Sequence, residues 1–186
     1  NGREENLEKV LTKGCWTPIE KIGVDDGWQA RALGNDSTDI SFRGKSQGTL
    51  NWGLMGKHNQ MNALAALASA HHVGVTIETG ITALTKFKNV KRRMELCGAV
   101  NGITVYDDFA HHPTAIQTTL EGLRNKVNDA RIIAVLEPRS NTMKMGTWQD
   151  RLAESLDAAD LVFCYTSNLG WDVREALKPI GSRAVS

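Results

Sequence analysis

The residues of this chain best suited to chemistry sit together at Tyr106-Asp107-Asp108-Phe109-Ala110-His111-His112-Pro113. The run Ile103-Thr104-Val105 leads into this cluster, and Ile116, Leu120 and Leu123 follow it at helical spacing. Proline is favoured at the first helical position, where its missing N–H costs nothing. The cluster is therefore expected at the C-terminal end of a strand and the N-terminal end of a helix. Open α/β sheets bind ligands at such a rim, and a helix start attracts anions such as phosphate. A carboxylate like Asp108 can accept ribose hydroxyls there, and an imidazole like His111 can meet phosphate. The plainer alternative is a capped helix start with surface imidazoles. Adjacent histidines at one strand end are poorly spaced to chelate a metal.

Three other segments have chemical potential. Gly56-Lys57-His58-Asn59-Gln60-Met61-Asn62 precedes an alanine-rich helical stretch. Asn59 and Asn62 are three residues apart and share a helix face, and a carboxamide can pair with the N6/N7 edge of adenine. The alternative is that Asn59 merely caps the helix. Lys91-Arg92-Arg93 can hold polyphosphate through charge-assisted bonds, or can be a solvated basic link. Glu137-Pro138-Arg139-Ser140-Asn141-Thr142-Met143-Lys144 is a polar loop after an apolar strand, and Arg139 can grip a carboxylate bidentately; a plain turn with a solvated arginine is the alternative. Gly44-Lys45-Ser46 looks like the end of a phosphate loop, but position 39 is Asp where that pattern needs glycine, so a hairpin turn is expected.

The elements that must position these residues fall into two textures. Residues 1–55 read as β-rich, an antiparallel meander with turns at Gly34-Asn35-Asp36-Ser37 and Gly44. Residues 59–73 read as a helix ended by Gly74, and Ile77–Leu84 as a second helix capped by Thr76. A basic link at 86–95 follows. Strands are then expected at 103–106, 131–136 and 160–165, with helices at 113–126, 147–158 and 172–178. Strands this apolar, alternating with helices, predict a parallel sheet covered on both faces. The fold class is thus α/β, with a boundary that divides 1–88 from 89–186.

Composition narrows the function classes. The 186 residues carry a formal net charge of +1, with 41% hydrophobic and 23% charged residues, so nothing favours bulk binding of nucleic acid or an anionic membrane. No apolar run approaches the ~20 residues of a membrane span, and residues 1–14 are too polar for a signal peptide. Cys15, Cys97 and Cys164 are widely spaced and lack a CxxC; buried structural thiols in a reducing cytoplasm are expected, and Asn35-Asp36-Ser37 carries no weight as a glycosylation site without secretion. His71-His72 are expected near the end of their helix, without a function.

Three segments in order, Gly-Lys-His-Asn-Gln-Met-Asn-Ala-Leu-Ala-Ala at 56–66, Arg-Arg-Met-Glu at 92–95 and Asp-Asp-Phe-Ala-His-His-Pro at 107–113, resemble the Mur ligase family of ATP-dependent enzymes. The resemblance implies the end of a central ATPase domain over residues 1–88 and a truncated Rossmann-like, mostly parallel C-terminal domain over 89–186. It implies that His58, Asn59, Asn62, Arg93, Asp108 and His111 serve ATP, the asparagines on the adenine side, Asp108 at the ribose, His111 at the phosphates. Arg139 and Ser140 would face an incoming peptide. Two loops, 107–113 and 137–144, resemble the branch that joins the recycled tripeptide L-alanyl-γ-D-glutamyl-meso-diaminopimelate to UDP-N-acetylmuramate; the alternatives are the L-alanine-adding branch and a non-catalytic nucleotide-binding module. The family's phosphate loop, magnesium ligands, modified lysine and UDP-binding domain have no counterpart in this sequence. The chain therefore reads as a piece of a longer protein, with no catalytic or metal-binding residue of its own and no ligation on its own.

Overall fold

A computed structural model describes residues 1–34, 36–54, 56–166 and 169–185 and divides into two compact units, Asn1–Lys88 and Asn89–Ser186. The first opens with helix Glu5–Leu11 (α1), where residues 1–55 were expected to be β-rich. It buries none of its residues, so no apolar periodicity announces it; the Glu4 carboxylate caps it by accepting from Asn6 N. Strands Trp28–Gly34 (β1), Ser37–Phe42 (β2) and Lys45–Asn51 (β3) form the expected antiparallel meander, in that order. Arg43 and Gly44 join β2 to β3 with φ of 49° and 74°, and Phe42 pairs with Lys45. Two central residues at positive φ make the turn whose twist suits a hairpin, so Gly44-Lys45-Ser46 belongs to a hairpin. Asn35, in the other expected turn, lies outside the described residues.

Helix Lys57–His72 (α2) starts two residues earlier than expected. Gly56 holds the cap position, and Asn59 sits inside the first turn rather than capping it. His71 and His72 close this helix, and the His71 ring meets Trp28 edge-on at 5.6 Å. Helix Ile77–Thr85 (α3) begins at Thr76, whose hydroxyl accepts from Thr79 N. Ala63, Leu64 and Leu67 of α2 and Ile81 of α3 pack with Trp28, Ile40 and Leu50 into the core of this unit.

In the second unit, Glu95–Val100 (β4) and Ile103–Asp107 (β5) form a separate antiparallel pair. This corrects the placing of strand 103–106 in the parallel sheet. Its partner β4 was missed, although Asn101-Gly102 between Val100 and Ile103, at φ of 51° and 77°, is the strongest short-range hairpin signal. The parallel sheet consists of Ile133–Leu136 (β6), Leu161–Cys164 (β7) and the unexpected Ala184–Val185 (β8). Helix Pro113–Val127 (α4) matches its expected span. A short helix that was not expected, Asn141–Lys144 (α5), precedes Gln149–Ser155 (α6), which is the helix expected at 147–158 in shorter form, and the last is Val173–Leu177 (α7) followed by a 3-10 turn, Lys178–Arg183. The α/β class stands.

Ile116, Leu120, Leu152, Leu156, Val162 and Leu177 are among the buried residues of the second core. Both faces of the parallel sheet were expected to be covered, but the described residues cover one: register places Val135 beside Phe163 and Phe163 beside Val185, and all three are exposed. At the N-terminal end of β7, the Arg124 guanidinium donates to the carbonyls of Asn128, Ala130 and Ala158 and to Asp160 at 2.5 Å. The Ile132 N–H and then Arg124 hold the Asp160 carboxyl below its ordinary range. The cysteines depart from expectation, since Cys15 and Cys97 are exposed and only Cys164 is buried. No described helix is long and apolar enough to cross a membrane.

Candidate functional site

Strand β5 delivers Asp107 and Asp108 to a short connection, and Pro113 starts α4 at its first position, as expected. His112 is the helix cap: its Nδ1 accepts from Thr114 N at 3.2 Å, and its ring meets Trp148 edge-on at 4.6 Å. That ring contact ties the start of α4 to the segment after α5. His111 lies 2.8 Å from the Phe109 carbonyl through Nδ1. A carbonyl only accepts, so Nδ1 carries the proton and Nε2 is the ring nitrogen left over in an exposed side chain.

Asp108 is half-buried, and its carboxylate is already engaged. Oδ1 accepts from Ala110 N at 2.8 Å and from the Thr119 hydroxyl at 3.4 Å; Oδ2 accepts from Met94 N at 2.8 Å. A carboxylate offers about four acceptor positions, so one remains, on Oδ2. That suffices for one ribose hydroxyl and not for a bidentate grip on two.

The Met94 bond brings the basic segment to the strand end. Arg92 and Met94 both have left-handed backbones, φ 60° and 48°, each costing a non-glycine residue roughly 1–2 kcal/mol. The turn is held at several points. Glu95 accepts from Arg92 N at 2.8 Å, Phe109 N donates to the Arg92 carbonyl at 2.8 Å, and the Asn89 amide donates to the Arg93 carbonyl. The Arg92 side chain pairs with Asp107 at 3.1 Å and lies over the Phe109 ring. Bonds to a charged acceptor contribute roughly 1.5–3 kcal/mol each, so this set outweighs the backbone cost. Among the described residues neither Arg93 nor Lys91 has a side-chain partner, and both are exposed. The segment is therefore a folded turn and not a solvated link.

The other expected residues are grouped separately. His58, Asn59 and Asn62 lie on the first two turns of α2, the first two half-buried and Asn62 exposed. Arg139 and Ser140 follow β6 and the buried Pro138. Arg139 makes an exposed ion pair with Glu137 at 3.6 Å, and Ser140 caps α5 by accepting from Met143 N. The Trp171 indole donates to the Met143 carbonyl at 2.6 Å and packs on Gly146, where an added Cβ would meet its ring at 3.0 Å. Sequence reading missed Asn89, Glu95, Trp148 and Trp171, which act on backbone groups or through rings, and Thr119, whose hydroxyl donates to Asp108 from a turn and a half into α4. Among the described residues no group of three or more His, Cys, Asp or Glu is arranged to hold a metal ion.

Comparison with known proteins places these features. Residues 92–185 match the family described as Mur ligase, glutamate ligase domain. The chain is 50% identical over 174 residues to the UDP-N-acetylmuramate--L-alanyl-gamma-D-glutamyl-meso-2,6-diaminoheptandioate ligase of Escherichia coli K12, covering 91% of this chain and 38% of that protein. It is 38% identical over 159 residues to the UDP-N-acetylmuramate--L-alanine ligase of Caldanaerobacter subterraneus, covering 82% of this chain and 34% of the relative. Among solved structures, a murein peptide ligase from Psychrobacter arcticus 273-4 superposes with a TM-score of 0.65 at 42% identity, covering 99% of this chain and 42% of the other. The chain thus spans well under half the length of these relatives. A family match over half of its residues, on the unit that holds Arg93, Asp108 and His111, makes this chain a member of the Mur ligase family.

Proposed function

We propose that this chain is part of an ATP-dependent ligase that joins L-alanyl-γ-D-glutamyl-meso-diaminopimelate to UDP-N-acetylmuramate in the cytoplasm, in peptidoglycan recycling. The observation that carries this reading is the 50% identity to a ligase named for that tripeptide, against 38% to one named for L-alanine. Asn1–Lys88 is then the C-terminal part of the family's central ATP-binding domain, and Asn89–Ser186 belongs to its C-terminal domain.

In this reading the muramate carboxylate attacks the γ-phosphorus of ATP, giving an acyl phosphate and ADP. The tripeptide amine then attacks the acyl carbon, forming the amide and releasing phosphate. The residues of this chain fit a nucleotide triphosphate. Arg93 has a guanidinium without a partner among the described residues, on a braced turn, and His111 retains Nε2; both would offset phosphate charge, which is much of what phosphoryl transfer asks of a protein. Asp108 would accept one ribose hydroxyl at its remaining position. His58, Asn59 and Asn62 would meet the adenine, and Arg139 and Ser140 the carboxylates of the peptide. Magnesium, when bound, would neutralise charge between the phosphates; the described residues offer no cluster to hold it.

The test is phosphate release by the intact ligase with ATP and UDP-N-acetylmuramate, given either the tripeptide or L-alanine. Turnover is expected with the tripeptide. Turnover with L-alanine and none with the tripeptide would overturn the assignment in favour of the L-alanine-adding branch.

A further inference from the structure

We infer that Asn89 and Glu95 are positioning residues that hold the Arg93 guanidinium ready for the phosphates of ATP; this rests on the nucleotide reading above. The geometry is specific to the turn between them. Arg93 is flanked by two residues in the left-handed region, Arg92 at φ 60° and Met94 at φ 48°. A non-glycine backbone adopts that shape twice in three residues only where its surroundings over-determine it, and such places concentrate at functional sites. Here the captured groups alternate along the turn. Glu95 Oε2 takes the N–H of Arg92, the Asn89 amide takes the carbonyl of Arg93, and Asp108 takes the N–H of Met94.

Asn89 is itself fixed, because its Oδ1 accepts from Val90 N at 2.9 Å. Asn89 and Glu95 bracket the turn from either end, and both are exposed. Burial therefore does not explain why two polar side chains fold back onto the backbone of this turn. The guanidinium carried at its centre has no partner among the described residues. Arg92, next to it, is consumed by Asp107 and the Phe109 ring. The two adjacent arginines thus divide their work: Arg92 anchors, Arg93 is presented. An arginine whose backbone is fixed in advance loses less freedom when it grips an anion, which is how preorganisation raises affinity.

The experiment is steady-state kinetics of the intact ligase carrying Arg93→Ala, Asn89→Ala, Glu95→Ala, Glu95→Gln and the pairs Arg93→Ala/Asn89→Ala and Arg93→Ala/Glu95→Ala. Arg93→Ala is expected to raise the KM for ATP by roughly tenfold or more. Asn89→Ala and Glu95→Ala should each raise it by about three- to tenfold and leave the KM for UDP-N-acetylmuramate within about twofold. Glutamine keeps a carbonyl oxygen for Arg92 N, so Glu95→Gln should recover most of what Glu95→Ala loses. The double variants should be no worse than Arg93→Ala alone, because residues acting through one group are not additive. An ATP effect for Arg93→Ala with none for Asn89→Ala and Glu95→Ala overturns the positioning role and leaves the nucleotide reading standing. So do effects that multiply in the double variants. An unchanged KM for ATP in Arg93→Ala overturns the nucleotide reading of Arg93 itself.

Discussion

Burial pushes the Cys164 thiol up to about 11 from its ordinary 9.0, because a thiolate would have to form among the apolar residues of the second core. A folded pKa raised above the unfolded one contributes stability that is present below pH 9.0 and is lost as pH rises toward 11. Cys15 and Cys97 are exposed. At pH 8, iodoacetamide should therefore alkylate Cys15 and Cys97 and leave Cys164 unmodified until the protein unfolds. Peptide mass spectrometry reads this directly, and labelling of Cys164 at the rate of the other two in folded protein would contradict its placement. The sequence misled here because each cysteine has apolar neighbours in the chain, and neighbours in sequence do not decide burial. Asp108 shows the same limit from the other side. Its location at a strand end was legible from Ile103-Thr104-Val105 before it and Pro113 after it. Its three donors, Met94 N, Ala110 N and the Thr119 hydroxyl, were not, since two of them are backbone groups that no side-chain pattern reveals.

Among the elements, α2 and α3 meet at an unusually close point. A Cβ added at Gly80 would lie 2.7 Å from Leu67 Cδ2, and Leu67 is buried. Gly80→Ala gains about 1 kcal/mol of helix propensity and loses roughly 1–3 kcal/mol to overpacking. A net destabilisation of about 0–2 kcal/mol is expected by urea unfolding. Leu67→Ala alone should cost about 2–5 kcal/mol. The space it vacates is where the new Cβ would go, so the double variant should be less destabilised than the sum of the two singles; strict additivity would mean the contact does not exist. Both helices were readable in the sequence, α2 from its alanine-rich stretch ended by Gly74 and α3 from the Thr76 cap. The closeness of their packing was not, because a glycine inside a helix reads only as a weak helix former. Elements that bury little escaped altogether. Helix α1 buries none of its residues, strand β4 buries none of its own, and β8 has two residues. The parallel pairing of β6 and β7 was expected from their apolar runs, whereas the loss of β5 to its own hairpin follows from the Asn101-Gly102 turn.

At the scale of the whole molecule, the two units have separate cores with no residue in common. Trp28, Ile40, Leu50, Leu64 and Leu67 belong to one, and Leu120, Leu152, Val162 and Leu177 to the other. A cavity is felt first by the residues that lose contacts to it, so each core should report on its own unit. Leu64→Ala and Leu152→Ala each remove a nearly fully buried side chain and should cost about 2–5 kcal/mol. Native-state hydrogen exchange can locate that cost. Leu64→Ala is expected to lower amide protection in Lys57–His72 and the β1–β3 meander and to leave Pro113–Val127 as in the parent chain. Leu152→Ala should do the reverse. Loss of protection spreading to both units from either substitution would show that they unfold as one cooperative body. If the losses stay separate, a residue proposed to serve ATP in one unit can be altered without loosening the other, and kinetic effects of Arg93 or Asn59 variants can be read as local effects of the altered side chain rather than as unfolding of the whole chain.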